Sequence, residues 1–227
     1  MPTKPVVTFD CYRTLVDFDL NRATLPIVRD RLDEVGVDHD EFLDNLRVMR
    51  FQAVAQPYRR YADIVRQTLE TCMLLHGVEF RDEDHERLMD SARRFPAFPE
   101  VPAALRRLKE GGYQIAIITN SDDDLIPYHL AAIGVEFDHV VTAEQAGAYK
   151  PRDQAFQHLF SVLPQSLDQI THAAQGWEYD IMPTRKYGIR RVWVNRYGRK
   201  GSEFYRPYDE IADLAGLPPL LGIEVEG

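Results

Sequence analysis

Pro5-Val6-Val7-Thr8-Phe9-Asp10-Cys11-Tyr12-Arg13-Thr14-Leu15-Val16 decides the fold of this 227-residue chain. Val6, Val7 and Phe9 make a short run of β-branched and aromatic residues, the pattern of a strand buried on both faces. Asp10 follows at the C-terminal end of that strand, where open α/β sheets bind their ligands. A carboxylate there can serve as nucleophile, base or metal ligand. Thr14 comes four residues later, close enough to turn its hydroxyl back toward Asp10. A capping role for Asp10 at a turn or helix also fits the spacing, so both readings stand on this stretch alone.

The second half of the chain alternates strand and helix patterns, which predicts a doubly wound parallel sheet of the Rossmann-like kind. The expected strands are Tyr113–Thr119, Phe137–Thr142, Ile170–Ala174 and Arg191–Asn195. Helices are expected at Val101–Gly111, Asp124–Ile133, Asp153–Leu163 and Pro183–Tyr187, with a last one over Tyr208–Ala215. Thr119 and Asn120 end one strand, while Lys150 and Asp180 fall in the loops after the next two. These polar groups recur at intervals of about 30 residues, one βαβ repeat, so each repeat returns one of them to the same rim of the sheet. Taken singly, Thr119 reads as a cap, Lys150 as a solvated loop lysine contributing about 0–1 kcal/mol, and Asp180 as an N-cap. Four such coincidences at one rim make the combined structural reading the weaker one.

Residues 17–97 carry no strand pattern. Four helices are expected at Leu20–Val37, Asp40–Gln56, Tyr61–His76 and Asp82–Phe95. The last has acidic residues in its first turn and Arg93-Arg94 in its last, as the helix dipole prefers. Pro96, Pro99 and Pro102 stiffen the return. The expected organisation is a core of residues 1–16 and 98–227 with a helical cap, 17–97, inserted into it.

Phe9-Asp10-Cys11-Tyr12-Arg13-Thr14-Leu15 resembles the first motif of the haloacid dehalogenase superfamily, a strand followed by Asp-x-(Asp or Tyr)-x-Thr. Ile117-Ile118-Thr119-Asn120-Ser121 and Ala148-Tyr149-Lys150-Pro151 are similar to its second and third motifs, and the helical insert stands at the matching place. Tyr12, where the phosphatases carry an acid, resembles the 2-haloacid dehalogenase branch. Phe98-Pro99-Glu100-Val101-Pro102 and Val192-Trp193-Val194-Asn195-Arg196 resemble segments of the same branch.

That resemblance implies a hydrolase that cleaves the carbon–halogen bond of small 2-haloacids through an ester on Asp10. It implies that Lys150 holds Asp10 ionised and that Thr14 and Thr119 bond the nucleophile or the substrate. Asp180 would activate the hydrolytic water and Asn120 would receive the halide. Cys11, Tyr12 and Trp177 are expected to line the substrate site, with Arg50, rather than its rival Arg47, facing the halide. Arg13 departs from the branch's usual Gly, Phe156 from its usual Tyr, and Gln175 and Trp177 from its Ser and Asn. No cofactor is expected; magnesium at Asp10 and Asp180 belongs to the alternative of a phosphatase of the same superfamily. A non-catalytic relative acting as a binding module is the second alternative.

A net charge of −9 argues against a nucleic-acid partner, which needs a basic face. A small anionic substrate remains compatible, since a few local cations can dominate one pocket. No apolar run is long enough to span a bilayer. The strand begins almost at once, with no signal region before it. Cys11 and Cys72 show neither metal-ligand spacing nor a disulfide pattern, and Cys11 reads as a small packed residue. These features predict a cytoplasmic protein, and a homodimer is compatible with them.

Overall fold

Strand β1 (Val6–Phe9) is buried along its whole length, which its run of apolar side chains dictates. Around it, the computed structural model describes residues 3–223 and divides the chain into two units. One unit comprises the residues up to Asp17 and those from Pro96 onward; the other is Phe18–Phe95.

In the first unit the described residues build a six-stranded sheet in the order β3-β2-β1-β4-β5-β6, every neighbouring pair being parallel. The strands are β2 (Gln114–Thr119), β3 (His139–Thr142), β4 (Ile170–Ala174), β5 (Arg190–Val194) and β6 (Asp209–Ile211). The chain lays β2 and β3 on one side of β1 and then crosses to place β4 on the other. Loops leaving the C-terminal ends of β1 and β4 therefore part from each other, which opens the crevice where α/β sheets take ligands. Val6, Ala116, Ile118, Val141, Phe156, Leu159 and Ile170 share one apolar cluster. Each buried aliphatic or aromatic side chain of this kind stabilises by about 1.5–3 kcal/mol.

The second unit is helical: α1 (Leu20–Val35), α2 (His39–Val54), α3 (Tyr61–Leu75) and α4 (Asp82–Ala92). Asp19 caps α1 by accepting from the Arg22 N–H, and Asp38 caps α2 in the same way. Gly36, at φ +71°, supplies the left-handed residue that ends α1. Leu20, Thr24, Val28 and Leu32 form the buried stripe of α1. Arg31 reaches the buried Asp84 of α4 at 2.6 Å.

Where the second unit begins and ends, the two chain crossings pair with each other. The Asp17 N–H donates to the Pro96 carbonyl and the Phe98 N–H to that of Leu15. Helix α5 (Val101–Glu110) then leads into β2, and α6 (Ile126–Ile133), α7 (Ala143–Ala146) and α8 (Asp153–Val162) complete the first unit's longer connections. Among the described residues no helix is long and apolar enough to cross a membrane.

Two expectations need correction. The helix foreseen over Tyr208–Ala215 is strand β6 followed by a short turn. Asp209 to Ile211 find an open edge on β5, and pairing there overrides local propensity. Asp180 lies in a wide helical turn, Trp177–Ile181, rather than in an open loop. The buried Arg191 steadies that turn by donating to the Ile181 carbonyl at 2.5 Å.

Candidate active site

Asp10 continues the line of β1, with its N–H donating to the Ala173 carbonyl of β4. The chain then folds back tightly, as Leu15 and Val16 both donate to the Cys11 carbonyl. That loop forces Arg13 to φ +63°, a conformation usually left to glycine. The Arg13 guanidinium lies over the Tyr197 ring, 4.5 Å from its centroid, and its Nε donates to the Tyr197 hydroxyl at 3.2 Å. Its long side chain is exposed and extends toward Tyr197. The same loop brings the Thr14 hydroxyl to 2.7 Å from Asp10 Oδ2. Gln175 fixes Thr14 by donating its own N–H to that hydroxyl at 2.9 Å. Arg196, stacked on Phe98, holds the Thr14 carbonyl at 2.7 Å and pairs with Glu100.

Lys150 enters from the loop between α7 and α8. Its Nζ lies 2.9 Å from Asp10 Oδ1 and 2.6 Å from Asp180 Oδ1. Asn120 builds this loop by accepting from the Lys150 N–H at 2.7 Å and donating to the Lys150 carbonyl at 3.0 Å. The alternative reading of Lys150 as a solvated loop charge does not hold, since only 1% of it is exposed. A buried ammonium persists because two carboxylates face it.

The three charges titrate as one set. Burial drives Asp10 above the usual carboxylate range, with Lys150 opposing and Asp180 adding to the rise. Burial acts on Asp180 too, but the Lys150 charge and the donation from His172 outweigh it and hold Asp180 below that range. Burial disfavours the charge on Lys150, yet its two carboxylates leave it above its ordinary value. Asp180 takes the larger share of the lysine through its shorter contact and its additional donor. Asp10 is left as the less compensated anion, which favours nucleophilic attack.

Several expected positions hold different parts. Cys11 is fully buried, and burial pushes its thiol well above the usual value with the Asp10 charge adding to the effect. It packs the core rather than lining a substrate site. Trp177 also departs from expectation. Its ring joins Trp193, Tyr208 and Ile181 in an apolar cluster, 4.7 Å from the Trp193 ring, because the turn after β4 aims it at β5. Asn120 spends its amide on the Lys150 backbone, which makes it a builder of the loop. Thr119 makes no bond to Asp10, and its buried hydroxyl is without a partner among the described residues. Tyr12 donates to Ser121 at 2.6 Å and packs edge-on to the buried His129. On α2, Arg47 is exposed and pairs with Asp44, whereas Arg50 is half-buried and donates to Asn21 of α1.

The residue that sequence reasoning missed is His172, at the middle of β4. It is fully buried, with Nδ1 2.8 Å from the Thr8 hydroxyl and Nε2 3.1 Å from Asp180 Oδ1. The available signal was a lone histidine inside the otherwise strand-forming run Ile170–Ala174.

Among the described residues no group of three or more His, Cys, Asp or Glu side chains is placed to hold a metal ion. The Lys150 ammonium lies between the Asp10 and Asp180 carboxylates, where its positive charge would oppose a second cation. Position 12 supplies a phenol turned to Ser121, and Gln175 supplies no charge.

A parallel sheet with the nucleophile candidate at its switch point, a lysine bridging the Asp10 and Asp180 carboxylates and an inserted helical unit defines an α/β hydrolase of the haloacid dehalogenase type. The chain belongs to the haloacid dehalogenase-like hydrolase family, whose model matches residues 5–172. Over 225 residues it is 25% identical to (S)-2-haloacid dehalogenase 4A of Burkholderia cepacia, covering 96% of this chain and 94% of that one. Over 114 residues it is 31% identical to haloacetate dehalogenase H-2 of Moraxella sp. strain B, about half of each chain (49% and 50%). In fold it is similar to the L-2-haloacid dehalogenase of Xanthobacter autotrophicus solved with chloropropionic acid covalently bound. The TM-score is 0.80 at 15% identity, covering 98% of this chain and 100% of that one.

Proposed function

We propose that this hydrolase removes halide from small 2-haloacids through an ester on Asp10. The observation that carries the reading is the grip on Asp10. Thr14 holds one carboxylate oxygen and Lys150 the other, while the residue two positions on, Tyr12, is not a carboxylate. A phosphatase needs an acid there to protonate its leaving alcohol; a halide leaves as a stable anion and needs none.

In the first step an Asp10 oxygen attacks the carbon bearing the halogen from behind. That C–O bond forms as the carbon–halogen bond breaks, and halide departs with the electron pair. Lys150 keeps Asp10 ionised beside an anionic substrate, in a buried setting where its charge counts for most. The unpartnered Thr119 hydroxyl is suited to bond the substrate carboxylate. In the second step water attacks the Asp10 carbonyl carbon and gives a proton to Asp180. The bond from that carbon to the product oxygen then breaks, the alkoxide takes the proton from Asp180 to become a 2-hydroxy acid, and the second water proton, left on the Asp10 carboxyl, is released to solvent as the carboxylate is restored. Two buried free thiols, Cys11 and Cys72, agree with a reducing cytoplasmic setting.

A single turnover of 2-chloropropionate with excess enzyme in heavy-oxygen water tests this route. The expected result is unlabelled 2-hydroxy acid and one labelled oxygen on Asp10. Label in the product on that first turnover would reduce Asp10 to a base acting on water.

A further inference from the structure

β4 lies between β1 and β5, where both faces of a parallel strand are covered and apolar side chains are the rule. His172 breaks that rule at its centre. Parallel register sets it beside Thr8 of β1, on the same face, and both are fully buried. The Phe156 ring stands perpendicular to the imidazole at 6.0 Å between centroids, which fixes its plane.

The Asp180 contact settles one proton position. An ionised Asp180 can only accept, so Nε2 carries the hydrogen at that contact. In the neutral ring Nδ1 then accepts the Thr8 hydroxyl proton. A directed chain results, from Thr8 through His172 to Asp180 Oδ1. That oxygen receives His172 and Lys150 together, whereas Oδ2 is buried with no partner among the described residues. Two donors on one oxygen fix the plane of the carboxylate and hold the other oxygen open. Gly176 keeps that side clear, since a Cβ built on it would fall on Oδ2.

We propose that His172 is a positioning residue for Asp180, acting on hydrolysis of the ester and not on its formation. This rests on the ester mechanism above. Ester formation uses Asp10 with Lys150 and Thr14, and His172 touches none of these among its hydrogen-bonded partners. Once Asp10 is esterified it has lost its charge, and Asp180 is the remaining carboxylate on Lys150. The free Oδ2 must then take a proton from water in a fixed direction, and the His172 bond supplies that constraint.

The test is rapid-quench kinetics with 2-chloropropionate, following halide release, 2-hydroxy acid release and the mass of the Asp10 peptide. His172→Phe keeps a planar ring and removes the donor; His172→Gln places an amide donor near the Nε2 position. The first halide burst of His172→Phe should stay near the parental rate. Its steady-state rate should fall about tenfold or more, the range for losing a hydrogen bond to a charged group. Esterified Asp10 should accumulate, and His172→Gln should recover much of the rate. Should His172→Phe fail to fold, His172→Asn, which reaches toward Thr8 but not Asp180, takes its place with the same expected split.

Burst and steady state falling together without ester, or a variant that turns over like the parent, would overturn the assignment. A parent that forms no ester at all overturns the mechanism itself, and the role of His172 with it.

Discussion

Nζ of Lys150 lies 2.6 Å from Oδ1 of Asp180, closer than its 2.9 Å contact with Asp10. One lysine thus serves two buried carboxylates unequally, and the stability and pH behaviour of the site follow from that inequality.

Lys150→Met should destabilise the protein as well as inactivate it. Methionine fills a similar volume but leaves Asp10 and Asp180 buried without their cation. Breaking a buried pair in this way costs about 3–5 kcal/mol. Urea unfolding followed by circular dichroism measures it. A midpoint equal to the parent's would mean that the lysine is solvated after all.

Asp10→Asn should stop ester formation and raise the melting temperature. Three buried charges of which two are negative become a neutral pair when Asp10 is replaced. A gain of about 1 kcal/mol is typical for relieving a functional site, and for a chain this size it shifts the melting point by about 2–4 °C. The sign with pH is definite. The folded-state pKa of Asp10 is raised above the ordinary carboxyl value of 3.8. Its penalty on folding is therefore present above that raised value and disappears as pH falls toward the unfolded one. The advantage of Asp10→Asn should shrink in acid, and melting scans from pH 8 down to pH 4 check it.

The rate of the halide burst should lose activity in acid with one limb, set by protonation of Asp10 and lying above 3.8. Asp180, held low, stays ionised through that limb. On the alkaline side Lys150 keeps its proton past its ordinary 10.5. A plateau spanning neutral and mildly alkaline pH follows. A bell centred near pH 6 would require a different titrating pair.

Gly176→Ala should slow ester hydrolysis far more than ester formation. Gly176 has an ordinary negative φ of −65°, so close approach to Asp180 and not backbone freedom demands glycine there. The added methyl displaces the Asp180 carboxylate, and overpacking of this kind costs about 1–3 kcal/mol. The ratio of burst to steady-state rate reports the displacement. An unchanged ratio would show that Asp180 tolerates movement.

The alternation of strand and helix, the helical insert, the placing of Asp10 and Thr119 at strand ends and that of Lys150 and Asp180 beyond the next two strands were legible in the sequence. They rest on local periodicity and on the length of one βαβ repeat, both of which a linear chain displays. Thr14 was legible for the same reason, being tied to Asp10 by a four-residue loop.

Tertiary structure alone decided where side chains separated by long stretches of chain meet. Thr8 and His172 stand 164 residues apart, and the parallel register of β1 and β4 makes them neighbours. Lys150 looks like any loop lysine until the carboxylates of Asp10 and Asp180 enclose it. Trp177 turns into the cluster around Trp193 because the wide turn after β4 rotates it there. Residues 209–211 become a strand because β5 offers them a free edge. Periodicity specifies which face a residue takes within its own element. Which partner meets that face depends on the packing of elements distant in sequence, and no local pattern encodes it.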